Sequence, residues 1–232
     1  MLDMMRRVGL IAPRYTYADV RLNGRVVGIM ALEEHFTKEM LEFNHRREGP
    51  VVATDMGWMW EQANRNYNDG GSRDRETNLF DWDYPIKAYQ LGKFDPSTAR
   101  SASTSRALSL LRDYRDSTVS GDRTFDLDLL SRWWIVVNIW QTWHSLELHN
   151  RRDYFNPITG KLEPVAYDNS SWLSLNQTWK LLLSDEIRSV LTNQIFRHLT
   201  IRNIDLISQL INSNEFESWF DHKHKTYVDV IS

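Results

Sequence analysis

The sequence predicts an α+β domain, in which a small strand-containing part packs on a mainly helical part. Two observations lead to this prediction: an Asn-Gly pair at residues 23–24 separates two alternating strand-like runs, and helical apolar periodicity dominates the second half of the chain. A length of 232 residues also suits one large domain. We therefore expect a single domain over residues 1–232, with a strand-containing part at 15–54, a loop-rich insertion at 55–100 and a helical part at 100–232.

The composition excludes several classes of protein. Hydrophobic residues make up 41% of the chain and charged residues 25%, which is typical of a globular domain and not of a disordered tail. The chain has no run of ~18 apolar residues, so we predict no membrane span. A net charge of −3 gives no electrostatic reason to expect nucleic-acid binding. The absence of cysteine excludes disulfides, thiolate zinc sites and cysteine nucleophiles.

The first elements follow from local turn and capping signals. Residues 2–8 have the pattern of a helix closed by a glycine, and because no element precedes this helix we expect the chain to lack upstream structure. The Asn-Gly pair is the preferred two-residue turn of a hairpin, here between residues 17–22 and 25–32.

The middle of the chain alternates between regular elements and polar loops. Thr37 is a suitable N-cap for a short helix, and a brief strand is expected at residues 51–54. Residues 64–73 are polar and contain two glycines, which predicts an exposed loop. Helical periodicity resumes from Pro96 and ends near Ser117.

A buried helix is predicted from about Asp126 to Glu147. Its apolar residues lie almost all the way round, which indicates burial on every side, and we expect it to be the least exposed element. The rings of Trp133, Trp134 and Trp140 should therefore be covered. Further helices are expected from Ser184 to the end of the chain.

A second hairpin is predicted between the buried helix and the last helices. Residues 153–155 and 162–167 flank a turn built on Pro157 and Gly160. The second strand ends at Asp168, so the hairpin brings this carboxylate back towards the end of the buried helix.

The order of these elements is the order found in protein kinases, from the middle strands of their small lobe onward. In kinases a buried helix leads to a loop that ends in a metal-binding Asn, and a hairpin leads on to a metal-binding Asp. Phosphoryl transfer needs oxygen ligands for Mg²⁺, and a hairpin fixes the distance between two of them. Asn150 and Asp168 are the two ligands that this interpretation predicts.

Three segments of the chain resemble the CotH family, the spore-coat-protein-H-type atypical protein kinases. They are residues 12–15, the hairpin from Leu22 to Gly28 with Glu33 and Glu34 after it, and the run from His149 to Asp168 with its Asn-Pro-Ile-Thr-Gly turn. The resemblance covers roughly residues 1–200, and residues 55–100 match poorly. It implies a protein-kinase-like fold, mostly the helical C-lobe with a hairpin remnant of the N-lobe, with Mg-ATP as cofactor and serine-containing proteins as substrate.

The same resemblance suggests cofactor contacts at Glu34 and Phe36. They follow the first hairpin, where kinases have the segment that touches adenine, and a phenylalanine ring can stack on a base. Each candidate also has a structural alternative. Glu34 can be a solvated strand end and Phe36 a core residue, while Asn150 can cap a turn and Asp168 can cap the next helix.

The chain departs from the kinase pattern at the general base. The base lies five residues before the metal-binding Asn, and Ser145 stands there, which cannot accept a proton near neutral pH as a carboxylate does. Glu147, which we include among the catalytic candidates, or the imidazole of His144 or His149 can take its place. No G-x-x-x-x-G-K-[ST] or G-x-G-x-x-G phosphate loop occurs, and the expected upstream lysine would precede Met1.

The sequence is therefore compatible with three functions, and it does not decide whether the chain is an enzyme. The first is an ATP-dependent protein serine kinase of the CotH type, truncated at its N-terminus. The second is a pseudokinase that kept the fold and lost the base. The third is an envelope, spore-coat or carbohydrate-binding module, suggested by the ten tryptophans but without a paired-carboxylate site at a recognisable spacing.

Overall fold

The computed structural model describes residues 1–55, 57, 61, 64–65, 85–89, 98–146, 150–169 and 192–231. Most of the predicted insertion at 55–100 and the start of the predicted helices at Ser184 lie outside the described residues. The helices in the described part are α1 (Leu2–Arg7), α2 (Lys38–Phe43), α3 (Ala99–Arg115), α4 (Gly121–Thr124), α5 (Leu127–Trp140), α6 (Gln194–Ile211) and α7 (Asn214–Ile231). The strands are β1 (Tyr15–Leu22), β2 (Arg25–Glu33), β3 (Val51–Thr54), β4 (Ile86–Ala88), β5 (Arg152–Asn156) and β6 (Lys161–Val165). This confirms the predicted α+β class.

The first hairpin, β1–β2, forms as predicted. Asn23 and Gly24 both have positive φ angles, of 51° and 80°, as a two-residue hairpin turn of the favoured kind requires. The register runs from Leu22 opposite Arg25 to Tyr15 opposite Glu33, with an irregularity at Val20 and Arg21. Most residues of both strands are exposed, so this hairpin contributes little to the core.

The central sheet has four antiparallel strands in the order β4-β3-β5-β6. All four residues of β3 are buried, and so are the first four of β5. Because β3 comes from the predicted strand-containing part and β5 from the predicted helical part, one sheet joins the two predicted parts. The segment before β1 is fastened to this sheet by a parallel bridge between Ile11 and Val165.

Helix α5 packs against this sheet as the main buried helix. The carboxylate of Asp126 caps it by accepting hydrogen bonds from the backbone N–H groups of Asp128 and Leu129, both at 3.1 Å. Trp133 is buried at 2% exposure, whereas Trp134 and Trp140 are partly buried.

Two details of the predicted buried helix are wrong. The helix ends at Trp140 and not at Glu147, because Gln141 takes a left-handed conformation with φ of 54° and a 3₁₀ turn at Trp143–Leu146 follows. It is also not the least exposed element. Asn138 and Ile139 face solvent, whereas every residue of β3 is buried.

The last two helices, α6 and α7, complete the helical side, and α6 packs directly on α5. The buried side chain of Asn203 joins the two helices, since its amide donates to Ser131 Oγ at 2.6 Å and to Asp128 Oδ1 at 2.8 Å. In the described part of the chain, no helix is long and apolar enough to cross a membrane.

Candidate functional site

The hairpin β5–β6 brings Asn150 and Asp168 to the same end of the central sheet. Arg152 pairs with Val165, so the residues just before β5 and just after β6 lie side by side. The turn is held by Asn156, whose side-chain oxygen accepts a hydrogen bond from Ile158 N at 2.9 Å. The 18-residue separation in sequence therefore becomes a close approach in space.

His144 makes contact with both predicted metal ligands. The amide of Asn150 donates to the carbonyl oxygen of His144 at 3.0 Å and lies 3.1 Å and 3.3 Å from its ring nitrogens Nδ1 and Nε2. His144 Nδ1 is also 3.1 Å from Asp168 Oδ2. A proton on Nδ1 lets the ring donate to Asp168, and Nε2 then accepts from Asn150. The three side chains form one cluster, which we name the Asn-His-Asp cluster.

Burial differs across the Asn-His-Asp cluster. Asn150 is 4% exposed, whereas the side chains of His144 and Asp168 are 18% and 34% exposed. Asp168 also has a positive φ of 44°, which is uncommon for a residue other than glycine and is concentrated at functional positions. The carboxylate is therefore the accessible end of the cluster, and Asn150 is its buried end.

Two arginine side chains, those of Arg151 and Arg152, hold the backbone beside Asn150 in place. Arg151 and Asp153 form a buried ion pair with Nε to Oδ2 at 2.9 Å, and the guanidinium of Arg151 lies 4.6 Å from the centre of the Phe125 ring. Arg152 stacks on Tyr167, next to Asp168, at 4.3 Å. These contacts fix both chain segments that carry the cluster.

Asp168 lines a cavity of about 650 Å³ between α1, the first hairpin and α7. Five aromatic side chains share its wall: Tyr15, Tyr17, Trp140, Trp219 and Phe220. Glu33, at the end of β2, lines the same cavity. Partial desolvation raises the pKa of Glu33 above its ordinary value, and the negative charge of Asp168 raises the pKa further. Sequence reasoning missed Glu33, although its position at the end of a strand beside Glu34 was visible.

Among the described residues, neither Glu34 nor Phe36 lines this cavity, and Phe36 lines a second cavity, formed with α2 and α3. Glu34 forms an ion pair with Arg14, whose Nε lies 3.0 Å from Oε2. Desolvation on its own raises the pKa of Glu34, but the hydrogen bonds from Arg14 outweigh it and hold the pKa below its ordinary value. Phe36 is 5% exposed and packs against the rings of Tyr89 and Tyr167. Neither occurs among the described residues that line the cavity, so their contact with adenine stays a prediction.

Ser145, at the position of the kinase base, is part of the core. It is 1% exposed, and its hydroxyl donates to the carbonyl of Thr142 at 2.9 Å. Glu147 and His149, two of the predicted replacements, lie outside the described residues. His144 is the replacement that the structure describes, and it contacts Asp168 directly.

The donor types of the Asn-His-Asp cluster fit Mg²⁺. One carboxylate and one amide oxygen are hard ligands, and Mg²⁺ fills its remaining positions with water and phosphate oxygens. No group of three or more His, Cys, Asp or Glu side chains in the described part of the chain could hold a metal ion by itself.

Comparison with known proteins adds no assignment. No protein-family model matches the chain. No curated protein matches it either.

Proposed function

We propose that this chain is a protein-kinase-like domain of the CotH type, in which Asn150 and Asp168 hold Mg-ATP for phosphate transfer to a protein serine. The observation that carries the proposal is the contact of His144 with both residues, at 3.1 Å from each. Two oxygen donors from opposite ends of one hairpin are what a kinase uses for its magnesium ions.

The residues around the cluster have separate roles in this proposal. Mg-ATP supplies the phosphoryl group and the positive charge that neutralises it. Asp168, the exposed end of the cluster, and Asn150, its buried end, would hold the magnesium ion of Mg-ATP through their side-chain oxygens. The aromatic side chains in the cavity beside Asp168 would reduce the access of water to bound phosphates, which would strengthen the electrostatic interactions there.

The chemical step joins the serine Oγ to the γ-phosphorus while the bond from that phosphorus to the β-phosphate oxygen breaks. The serine proton then passes to a base or to solvent. In this proposal His144 takes the place of the carboxylate that Ser145 lacks, and its Nε2 accepts the serine proton once the hydrogen bond from Asn150 is released. Losing a carboxylate base costs ~10²–10⁴-fold in rate, so transfer is expected to be slow.

A pseudokinase is the second candidate function, and the burial of Ser145 favours it. The hydroxyl of Ser145 is bound to Thr142 inside the core, so no rotation of this side chain supplies a base. A pseudokinase binds the nucleotide without transferring phosphate. A binding module of the envelope or spore coat differs from both, because it needs no nucleotide.

Titration calorimetry with Mg-ATP tests the proposal. We expect binding by the wild-type chain, a rise in Kd of at least about tenfold in Asp168→Ala, and no change in Ser145→Ala. A charge-assisted contact to the cofactor contributes ~1.5–3 kcal/mol, which sets the size of this change. Asp205→Ala is a matched control, because Asp205 is an exposed aspartate on α6, away from the cluster.

Transfer is measured separately, with labelled ATP and a serine-rich protein. Incorporation that falls in His144→Gln while Mg-ATP binding persists supports the kinase. Binding without incorporation supports the pseudokinase. Equal Mg-ATP affinity in the wild type and Asp168→Ala would contradict both, and the binding module would then be the better interpretation.

A further inference from the structure

A second cavity, of about 360 Å³, lies on another part of the molecule. It is formed by α2, the segment before β3 and the first turns of α3. Among the described residues, it shares no lining residue with the cavity beside Asp168. We name it the basic cavity.

Three cationic side chains from three different elements line the basic cavity. They are Lys38 on α2, Arg47 in the segment before β3 and Arg100 on α3, and Glu48 is the single acidic residue among the described lining residues. The wall therefore carries an excess of positive charge, which favours an anionic ligand.

Lys38 and Arg100 each form an exposed ion pair with an acidic neighbour. Arg100 lies 3.7 Å from Glu48, and Lys38 lies 3.5 Å from Glu42, with all four side chains about half exposed. Exposed pairs of this kind contribute little to stability, so a doubly charged anion competes with them readily. Arg47 has no ion-pair partner in the described part of the chain.

The segment that carries Arg47 is held in place by β5. The buried hydroxyl of Tyr154 donates to the carbonyl of Arg47 at 2.8 Å. Gly49 lies so close to the same strand that a Cβ atom there would stand 2.6 Å from the carbonyl oxygen of Phe155. Only glycine fits at this approach, so the wall of the cavity is preformed.

The remaining wall is mixed. Ser103 offers a hydroxyl from α3, and Phe36, Leu41 and Val51 provide an apolar floor. An inorganic anion alone would use the cations and the hydroxyl but not the floor. A phosphate ester uses both, because its organic part packs on the apolar side chains.

We propose that the basic cavity binds a phosphate monoester, with Arg47 and Arg100 on the phosphate oxygens and Lys38 adding charge. The guanidinium group matches two phosphate oxygens at once, which makes arginine the preferred partner for this ligand. The ligand that fits this chemistry is a phosphorylated serine side chain of a peptide. This proposal does not depend on the proposed ATP site.

The test is calorimetric titration of the full chain with three probes: inorganic phosphate, a phosphoserine peptide and the same peptide without phosphate. We expect saturable binding of the phosphoserine peptide, weaker binding of phosphate, and none of the unphosphorylated peptide. Arg47→Gln and Arg100→Gln should each weaken binding about tenfold or more. Arg25→Gln is the matched control, because Arg25 is an exposed arginine at the first hairpin turn.

Folding of each variant is checked by circular dichroism, and Lys38→Gln replaces any variant that does not fold. Unchanged peptide binding in Asp168→Ala separates this site from the ATP site. Binding of inorganic phosphate with no gain in affinity for the phosphoserine peptide would overturn the monoester and would indicate a site for an inorganic anion. The proposal is overturned if neither probe binds saturably, or if Arg47→Gln and Arg25→Gln bind the phosphoserine peptide equally well.

Discussion

Trp133 is a large, buried core residue, and its removal should cost the fold much of its stability. Its ring is 2% exposed in the main core cluster, whereas Trp134 is only partly buried. We expect Trp133→Ala to lower the free energy of unfolding by ~3–5 kcal/mol, the usual range for emptying an aromatic core site. Trp134→Ala should cost less, ~1–2 kcal/mol, because part of its ring already meets solvent.

Denaturant unfolding of both variants measures this difference. Trp133→Phe serves as a control, because the indole Nε1 of Trp133 has no hydrogen-bond partner in the described part of the chain. Deleting that nitrogen removes no bond, so the phenylalanine variant should be milder than the alanine variant. Equal losses in Trp133→Ala and Trp134→Ala would show that the two rings are equally buried.

The ion pair between Arg14 and Glu34 makes part of the stability depend on pH. The pKa of Glu34 lies below its ordinary value of 4.5 when the chain is folded. Its contribution is therefore complete above about pH 4.5 and is lost as the pH falls through the folded pKa. We expect Glu34→Gln to be less stable than the wild type at pH 7, and the difference to disappear in acid.

Thermal melts of both proteins from pH 7 down to pH 3 follow this difference. Glu42→Gln is the control, since Glu42 pairs with Lys38 at 3.5 Å on an exposed helix face and should change little. If the difference in Tm between the wild type and Glu34→Gln stays constant from pH 7 to pH 3, the ion pair is ruled out as its cause.

The sequence predicts some residues of the candidate site and not others. Asn150 and Asp168 follow from a kinase-like order of elements and from the turn residues between them. The sequence offers His144 as one of three possible bases and does not single it out. Its contact with Asp168 depends on where the preceding helix ends, which the sequence does not predict. Glu33 reaches the cavity through the placement of the whole first hairpin, which no local pattern contains.

Helices, strands and turns can be predicted from the sequence where local residue chemistry determines the backbone conformation, and not where distant contacts determine it. Both hairpins are predicted because the turn residues require left-handed backbone, at Asn23 and Gly24 and again at Gly160. The end of α5 cannot be predicted in this way, because Gln141 adopts a left-handed conformation that its side chain does not favour. The pairing of β3 with β5 is also missed, because it joins strands a hundred residues apart.

Over the whole molecule, burial is distributed unevenly between the two sheets. The central sheet lies between helices, with β3 wholly buried and most of β5 and β6 buried too. The first hairpin exposes both faces, including large apolar side chains such as Ile29 and Leu32, at 56% and 61%. A two-stranded sheet without a packed face is marginally stable by itself.

The two hairpins should therefore differ in the rate of native-state hydrogen exchange. We expect the hydrogen-bonded amides of β1 and β2 to exchange at least ~tenfold faster than those of β5 and β6, because local opening of the first hairpin uncovers almost no core. The second hairpin is the internal control, since it has the same antiparallel topology and its amides open only with the central sheet. Equal protection of both hairpins would contradict this expectation and would mean that the exposed apolar face is covered in solution. Repeating the exchange at lower protein concentration would then show whether a second copy of the chain covers it, because only that cover is lost on dilution.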